Sequence, residues 1–193
     1  MKKTFNILVC GVGGQGTLLA SNIIADAAMD SGYDVKKSEI HGMAQRGGSV
    51  TSHVRFGEHI ESPIMRKGEC DILLSFELLE SVRSIGFLKP GGTLITNTQK
   101  ILPMSVSAGG QVYPDNILDV FAESSIKFTA IDAIGKALEL GNQKVLNIIL
   151  LGVLSKQLPE ISVETWENSI KKLLKPKLHE LNLKAFNLGR NYN

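Results

Sequence analysis

The 193-residue sequence has few cysteines and almost no excess of charge of either sign. Its two cysteines, Cys10 and Cys70, are too few to hold a four-cysteine iron–sulfur cluster on this chain. Both lie in or beside apolar runs, which is typical of buried thiols in a reducing cytosol, so we expect a cytoplasmic protein. The net charge of +2 gives no reason to expect a nucleic-acid partner.

Long hydrophobic runs are also missing, and no stretch is long and apolar enough to span a membrane. Two lysines precede the first apolar run, as in a signal peptide. That run is short, is interrupted by Asn6 and lacks a small-residue cleavage site, so we expect no leader. The composition, 43% hydrophobic and 21% charged residues, is ordinary for a soluble protein. We therefore expect one domain over residues 1–193, with a helical tail from about residue 143.

A glycine-rich turn follows the first apolar run. Residues 5–9 predict a strand and residues 17–29 predict a helix. Between them the G-x-G-x-x-G pattern of dinucleotide-binding turns comprises Gly11, Gly13, Gly14, Gln15 and Gly16. Glycine lets the backbone turn sharply and approach a ligand, and the N–H groups at a helix start favour an anion. Glycines that serve only close packing of the helix on the strand would give the same pattern.

The second half of a dinucleotide-binding fingerprint is missing. A carboxylate should end the second strand, where it would hold the ribose hydroxyls. The predicted strand end at residues 35–38 instead carries Lys36 and Lys37, and Glu39 follows only at the head of a second glycine-rich loop. The lysines count against NAD, although they would suit the 2′-phosphate of NADP. A stand-alone NAD(P)-binding dehydrogenase domain therefore stays open as an alternative.

This second polar segment, residues 38–49, predicts a loop with room for one helical turn. Such a loop in a compact domain is usually functional or disordered, and its arginine, histidine and paired glycines favour function. Its candidate binding residues are His41, Arg46, Gly47, Gly48 and Ser49. Arg46 with the adjacent backbone N–H groups would form a second contact for an anion. A glycine hinge beside an exposed arginine is the alternative.

Strands and helices alternate along the middle of the chain. Residues 49–56 and 59–64 predict a β-hairpin around a Gly57-Glu58 turn. Further strands are predicted at 70–76, 93–97 and 126–131, with helices at 77–87 and 133–140, the latter capped by Asp132. This order predicts a three-layer α/β/α fold with a mixed, mostly parallel sheet and one β-hairpin.

Helices predominate in the last part of the chain. Residues 145–156 are apolar on nearly every side, so this helix must be covered all round, either as the central helix of the domain or in part by another subunit. Ser162 predicts the N-cap of a helix that runs to about Leu174. Pro176 ends that helix, and residues 177–188 predict the last one.

Motifs for independent catalysis are missing. The histidines at positions 41, 53, 59 and 179 have no i, i+4 spacing on a helix, so we expect no metal site. Neither a Gly-x-Ser-x-Gly elbow nor a P-loop lysine is present, which disfavours acyl and nucleoside-triphosphate hydrolysis. We assign no catalytic residue.

Three segments together resemble the gamma domain of the 2-oxoacid:ferredoxin oxidoreductases: residues 11–16, 38–50 and 52–57. The resemblance covers essentially the whole chain and is strongest to the free-standing gamma domain that forms the small beta subunit of the indolepyruvate enzymes. The middle loop carries most of it, because many unrelated proteins share the glycine turn.

This resemblance implies oxidative decarboxylation of a 2-oxoacid, such as indolepyruvate or another aryl pyruvate, with coenzyme A to an acyl-CoA, and electron transfer to ferredoxin. It places thiamine diphosphate and the iron–sulfur clusters on a large catalytic partner subunit, and this chain lacks a Gly-Asp-Gly thiamine-diphosphate motif. The chain would be a non-catalytic subunit of a heteromer, inactive alone and without a tightly bound cofactor. Its glycine loops would lie near the coenzyme A path and contact that molecule. A ligand-free assembly scaffold is the alternative.

Overall fold

The computed structural model describes residues 3–41 and 47–192, with His41 described by its backbone alone. Six strands form one sheet in the order β2-β3-β1-β4-β5-β6. They are β1 Phe5–Val12, β2 Asp34–His41, β3 Ser49–Gly57, β4 Cys70–Ser75, β5 Leu88–Asn97 and β6 Lys127–Ile131. Strands β1, β4, β5 and β6 are parallel, whereas β3 runs antiparallel to both β1 and β2. The predicted α/β fold with a mixed, mostly parallel sheet is confirmed.

Eight α-helices connect and cover the strands in the described part of the chain. They are α1 Thr17–Asp30, α2 Leu78–Ser84, α3 Met104–Ser107, α4 Ile117–Glu123, α5 Ala133–Glu139, α6 Leu146–Ser155, α7 Val163–Leu173 and α8 His179–Arg190. The short helices α3 and α4, between β5 and β6, were not indicated by the sequence pattern. No helix among the described residues combines the length and the hydrophobicity needed to cross a membrane.

The sheet separates two hydrophobic cores. Successive residues of a strand face opposite sides, so Ile7 and Val9 of β1 pack with α1 and α6, whereas Leu8 and Cys10 pack with α2 and α4. Helices therefore cover both faces, which gives the predicted three layers.

Helix α6 is covered entirely by its own chain. All ten of its residues are buried. Its Gly152 lies against α8, where an added Cβ would come within 2.2 Å of the Phe186 carbonyl oxygen. Of the two alternatives for this apolar helix, the central position is the correct one. The helix therefore gives no argument for a second subunit.

The antiparallel hairpin is present, but its predicted partner strand was wrong. Strand β3 pairs with β2 from Asp34 opposite Gly57 to His41 opposite Val50. Residues 59–64 form no strand, and the Ile60 N–H donates to the Asp34 carboxylate instead. The Gly57-Glu58 turn predicts a hairpin from neighbouring residues alone. The actual pairing is decided by the burial of β3 between β1 and β2, which are distant in sequence. Residues 38–41, predicted as loop, are consequently strand, and residues 42–46 lie outside the described part.

The predicted helix starts at Asp132 and Ser162 are confirmed. The Asp132 carboxylate accepts from the Gly135 N–H at 2.9 Å, and the Ser162 hydroxyl accepts from the Thr165 N–H at 3.1 Å. Each side chain therefore satisfies an N–H that has no acceptor within its own helix.

Candidate functional site

The glycine-rich turn connects the carboxyl end of β1 to the start of α1. Gly14 has a φ of 103° and Gly16 a φ of 84°, both in the left-handed region that favours glycine. The turn leads into a 14-residue helix that begins at the carboxyl edge of the parallel strands. In open α/β sheets this edge is where ligands bind.

The glycines of the turn have different roles. An added Cβ at Gly11 would meet the Phe76 Cβ at 2.8 Å, and one at Gly16 would meet the Asn147 Nδ2 at 2.6 Å. Close packing therefore accounts for both positions. At Gly14 nothing lies within 4 Å of an added Cβ. Its glycine is explained by backbone conformation alone, and the space above it is open to a ligand.

The Gln15 side chain braces the turn from within. Its Oε1 accepts from the Val12 N–H at 2.8 Å, and its Nε2 donates to the Phe76 carbonyl at 2.9 Å. The same Nε2 donates to Gln99 Oε1 at 3.1 Å. Because both polar atoms are occupied, Gln15 fixes the shape of the turn through these contacts.

The second glycine-rich segment lies directly beside the first. The Gly13 N–H donates to the Gly48 carbonyl at 2.9 Å, and Ser49 is opposite Val12 in the β1–β3 register. The antiparallel placement of β3 next to β1 therefore brings Gly47, Gly48 and Ser49 to the glycine turn. The side chain of His41 and the whole of Arg46 lie outside the described residues, so their binding role stays a prediction.

A cleft of about 430 Å³ opens above the turn. Its lining comes from the glycine turn and the first turn of α1, from the segment after β5, from the start of α5, and from the start of α6 with the residues before it: Gly14, Gln15, Gly16, Leu19, Gln99, Ile134, Gln143, Lys144, Leu146 and Asn147. Neither α1 nor α6 has an acidic residue in its first turn. With Lys144 as the charged lining residue and no carboxylate on the wall, the cleft suits an anionic group.

Sequence reasoning missed the far wall of this cleft, which Gln99, Lys144 and Asn147 form. Asn147 interrupts an apolar helix, and its Nδ2 donates to the Gly16 carbonyl at 3.4 Å. A polar residue at the start of an otherwise apolar helix was the available signal. No sequence signal pointed to Gln99 or Lys144, because their proximity to the turn depends on the order of the strands.

The sheet order disfavours a dinucleotide site. Strand β3 lies between β1 and β2, so the end of β2 is displaced from β1 by two strand spacings, about 10 Å. Glu39 near that end accepts from Lys37 Nζ at 2.5 Å, and Lys36 pairs with Asp34 at 2.6 Å. Glu39 and both lysines are thus already engaged in ion pairs within β2.

The described residues include no group of three or more His, Cys, Asp or Glu side chains that would hold a metal ion. Burial raises the pKa of the Cys10 thiol to about 12 and that of the Cys70 thiol to about 12. A thiol with such a pKa stays protonated at neutral pH, and a protonated thiol is neither a metal ligand nor a nucleophile.

Comparison with known protein families matches residues 6–192 to the family described as pyruvate ferredoxin/flavodoxin oxidoreductase. A relative from Thermococcus kodakarensis, named indolepyruvate oxidoreductase subunit IorB, is 42% identical over 192 residues, which cover 97% of this chain and 95% of that protein.

Two solved structures share the fold. The gamma subunit of a keto/oxoacid ferredoxin oxidoreductase from Geobacter sulfurreducens has a TM-score of 0.72 at 27% identity, covering 96% of this chain and 95% of that chain. A 2-oxoglutarate:ferredoxin oxidoreductase from Magnetococcus marinus has a TM-score of 0.76 at 23% identity, and 98% of this chain matches 31% of that longer chain.

Proposed function

This chain belongs to the pyruvate ferredoxin/flavodoxin oxidoreductase family, and we propose that it is the small, non-catalytic subunit of a cytoplasmic, ferredoxin-dependent 2-oxoacid oxidoreductase. The observation that carries the proposal is the 42% identity to a protein named as a subunit of indolepyruvate oxidoreductase, over 97% of this chain. Indolepyruvate or another aryl pyruvate is therefore the proposed substrate, with an acyl-CoA as the product.

A large partner subunit would carry the catalytic groups. The proposal is supported by two buried, protonated thiols and by the lack of a metal-binding cluster in the described part of this chain. With two cysteines in all, the chain cannot supply a four-cysteine cluster. Thiamine diphosphate and the iron–sulfur clusters would thus be held by the partner, and the lone chain would be inactive.

Coenzyme A is the ligand that we propose for the cleft above the glycine turn. Its phosphates match the chemistry of the cleft, which combines the N-terminus of α1, the cation of Lys144 and the open approach at Gly14. A phosphate would be held by Gly14, Gly16 and Lys144. Gln15 would maintain the conformation of the turn. When bound, coenzyme A supplies the thiol that accepts the acyl group.

Anaerobic co-purification tests the subunit assignment. A tagged copy of this chain, expressed in its native host, should recover a larger polypeptide, identified by mass spectrometry, together with thiamine diphosphate, iron and acid-labile sulfide. Recovery of the chain alone from soluble, folded material would reject the assignment. It would favour the alternative in which the glycine turn is an independent nucleotide site.

Substitutions at Gly14 test the coenzyme A contact separately. Gly14→Asp and Gly14→Asn place side chains of the same shape in the same left-handed conformation, so they differ in charge alone. In the assembled enzyme we expect the KM for coenzyme A to be about tenfold higher in Gly14→Asp than in Gly14→Asn. This difference corresponds to a repulsion of about 1.4 kcal/mol between the carboxylate and a phosphate. Equal KM values for the two variants would reject a phosphate at this position.

The remaining alternative is a scaffold that binds no ligand. It predicts that both Gly14 variants change only how tightly the subunits associate. The cleft above Gly14, lined among the described residues by the cation of Lys144 and by no carboxylate, favours a ligand over the scaffold. Measuring subunit association for both variants alongside KM separates the two hypotheses.

A further inference from the structure

Helix α2 and its N-cap carry two buried carboxylates that lie outside the cleft above the glycine turn. Glu77, its N-cap residue, is 1% exposed, and Glu80 is 2% exposed. Burial of an ionised carboxylate is costly unless hydrogen bonds or a cation compensate for the lost hydration. Among the described residues, Glu80 forms a salt bridge with Arg83, whereas Glu77 forms no salt bridge and is held by hydrogen bonds. Two such residues one helical turn apart therefore call for an explanation beyond capping.

Glu80 holds the second glycine-rich segment. Its carboxylate accepts from the Ser49 hydroxyl at 2.5 Å and from Arg83 at 2.5 Å. Ser49 directly follows Gly48, whose carbonyl accepts the Gly13 N–H. The position of the Gly48 carbonyl, and with it one side of the glycine turn, thus depends on a carboxylate of α2.

Glu77 holds the segment that follows β5. One carboxylate oxygen accepts from the Ile101 N–H at 2.9 Å and from the Tyr113 hydroxyl at 2.7 Å, while the other accepts from the Glu80 N–H at 2.9 Å. Two residues before Ile101 is Gln99, which lines the cleft and accepts from Gln15. The opposite side of the glycine turn therefore depends on α2 as well.

We propose that Glu80 and Glu77 are positioning residues of the glycine-turn site, acting through Ser49 on one side of the turn and through Ile101 and Tyr113 on the other. Neither glutamate lines the cleft, so each acts on a ligand only through the loop that it holds. The part of this inference that concerns coenzyme A rests on the proposed function. The part that concerns the shape of the turn does not.

A double-mutant cycle tests the Ser49–Glu80 connection in the assembled enzyme. Ser49→Ala removes the donor and leaves the backbone of β3 intact, and Glu80→Leu removes the acceptor while keeping a similar side-chain volume. We expect each to raise the KM for coenzyme A about three- to tenfold with kcat unchanged. Because both remove the same contact, the double variant should be no worse than the worse single variant. Ser49→Thr keeps the hydroxyl and should restore the wild-type KM.

Hydrogen exchange gives a readout that does not involve coenzyme A. In the same complexes, the backbone N–H groups of residues 11–16 should exchange faster in Ser49→Ala and in Tyr113→Phe than in wild type, because the loops that hold the turn are freed. Matched controls are Ser124→Ala and Tyr192→Phe, whose hydroxyls donate to the carbonyls of Phe121 and Ala130. These controls should leave exchange at 11–16 unchanged.

The outcomes separate this inference from the proposed function. Multiplied KM effects in the Ser49–Glu80 cycle, or unchanged exchange at residues 11–16 in Ser49→Ala, would overturn the positioning role while the subunit assignment stands. An enzyme whose turnover does not depend on coenzyme A would instead remove the proposed ligand. Faster exchange in the variants would then still support positioning of the turn.

Discussion

The backbone N–H of Gly13 donates to the carbonyl oxygen of Gly48 at 2.9 Å. This contact joins two glycine-rich segments that the sequence presents as separate. It forms because β3 returns antiparallel beside β1, which puts Ser49 opposite Val12. The glycine turn and residues 47–49 therefore lie in direct contact, and a change in either is expected to reach the other.

Replacement of Gln15 by glutamate tests the internal brace of this site. A carboxylate cannot donate to the Phe76 carbonyl or to Gln99, so both hydrogen bonds of Nε2 are lost. We expect Gln15→Glu to lower the free energy of unfolding by about 1–3 kcal/mol in urea denaturation. Gln157→Glu adds the same charge at an exposed position and should change it by less than about 0.5 kcal/mol. Equal free energies of unfolding for Gln15→Glu and Gln157→Glu would contradict a stabilising role of the Gln15 hydrogen bonds.

Titration of the isolated chain with NADH and NADPH tests the alternative dehydrogenase function. Because β3 separates β2 from β1, no carboxylate or free lysine of β2 is placed to hold the ribose of a dinucleotide on the glycine turn. We expect no saturable change in nicotinamide fluorescence with either cofactor. Saturable binding that Gly14→Asp weakens would revive the dehydrogenase hypothesis.

The crossing of α6 and α8 depends on two glycines. An added Cβ at Gly152 would lie 2.2 Å from the Phe186 carbonyl oxygen, and one at Gly189 would lie 1.9 Å from the Ile149 carbonyl oxygen. Since backbone rather than a flexible side chain blocks each position, we expect Gly152→Ala to cost about 3 kcal/mol or more of unfolding free energy. Gly86→Ala, where nothing lies within 4 Å, is the matched control and should be nearly neutral. A Gly152→Ala variant as stable as the control would contradict the close crossing.

The two thiols make a prediction about pH. Burial raises the pKa of Cys10 and of Cys70 from an ordinary value of 9.0 to about 12. Between these values the unfolded chain loses protons that the folded chain keeps, so the stabilisation is complete below pH 9 and is lost as the pH rises toward 12. We expect iodoacetamide at pH 8 to modify neither cysteine of the folded protein and both after unfolding, as measured by intact mass. Modification of the folded protein at the unfolded rate would contradict this burial.

The fold was largely predictable because its signals are local. The N-caps at Asp132 and Ser162, the glycine turn before α1 and the apolar runs of β1 and β4 each follow from neighbouring residues. The partner of β3 was not predictable in this way. A turn at Gly57-Glu58 suggests a hairpin with the next residues, whereas β3 is buried between two strands that precede it in sequence.

The candidate site was half predictable for the same reason. The glycine turn and the Gly47–Ser49 segment carry motifs, but the far wall of the cleft and the two glutamates of α2 do not. Gln99 meets the turn through its hydrogen bond with Gln15, and Lys144 lines the same cleft from the segment before α6, so both depend on contacts between residues far apart in sequence. Nothing in the residues around Glu77 distinguishes a buried carboxylate from a solvent-exposed one.

Removal and restoration of this chain in the purified oxidoreductase test the subunit assignment most directly. The chain is stripped from the large subunit under anaerobic conditions, and reduction of methyl viologen is followed with indolepyruvate and coenzyme A. We predict that activity is lost on stripping, is absent from this chain alone and returns when the folded chain is added back. Full activity in the large subunit without this chain, or activity in this chain by itself, would contradict its role as a required non-catalytic subunit.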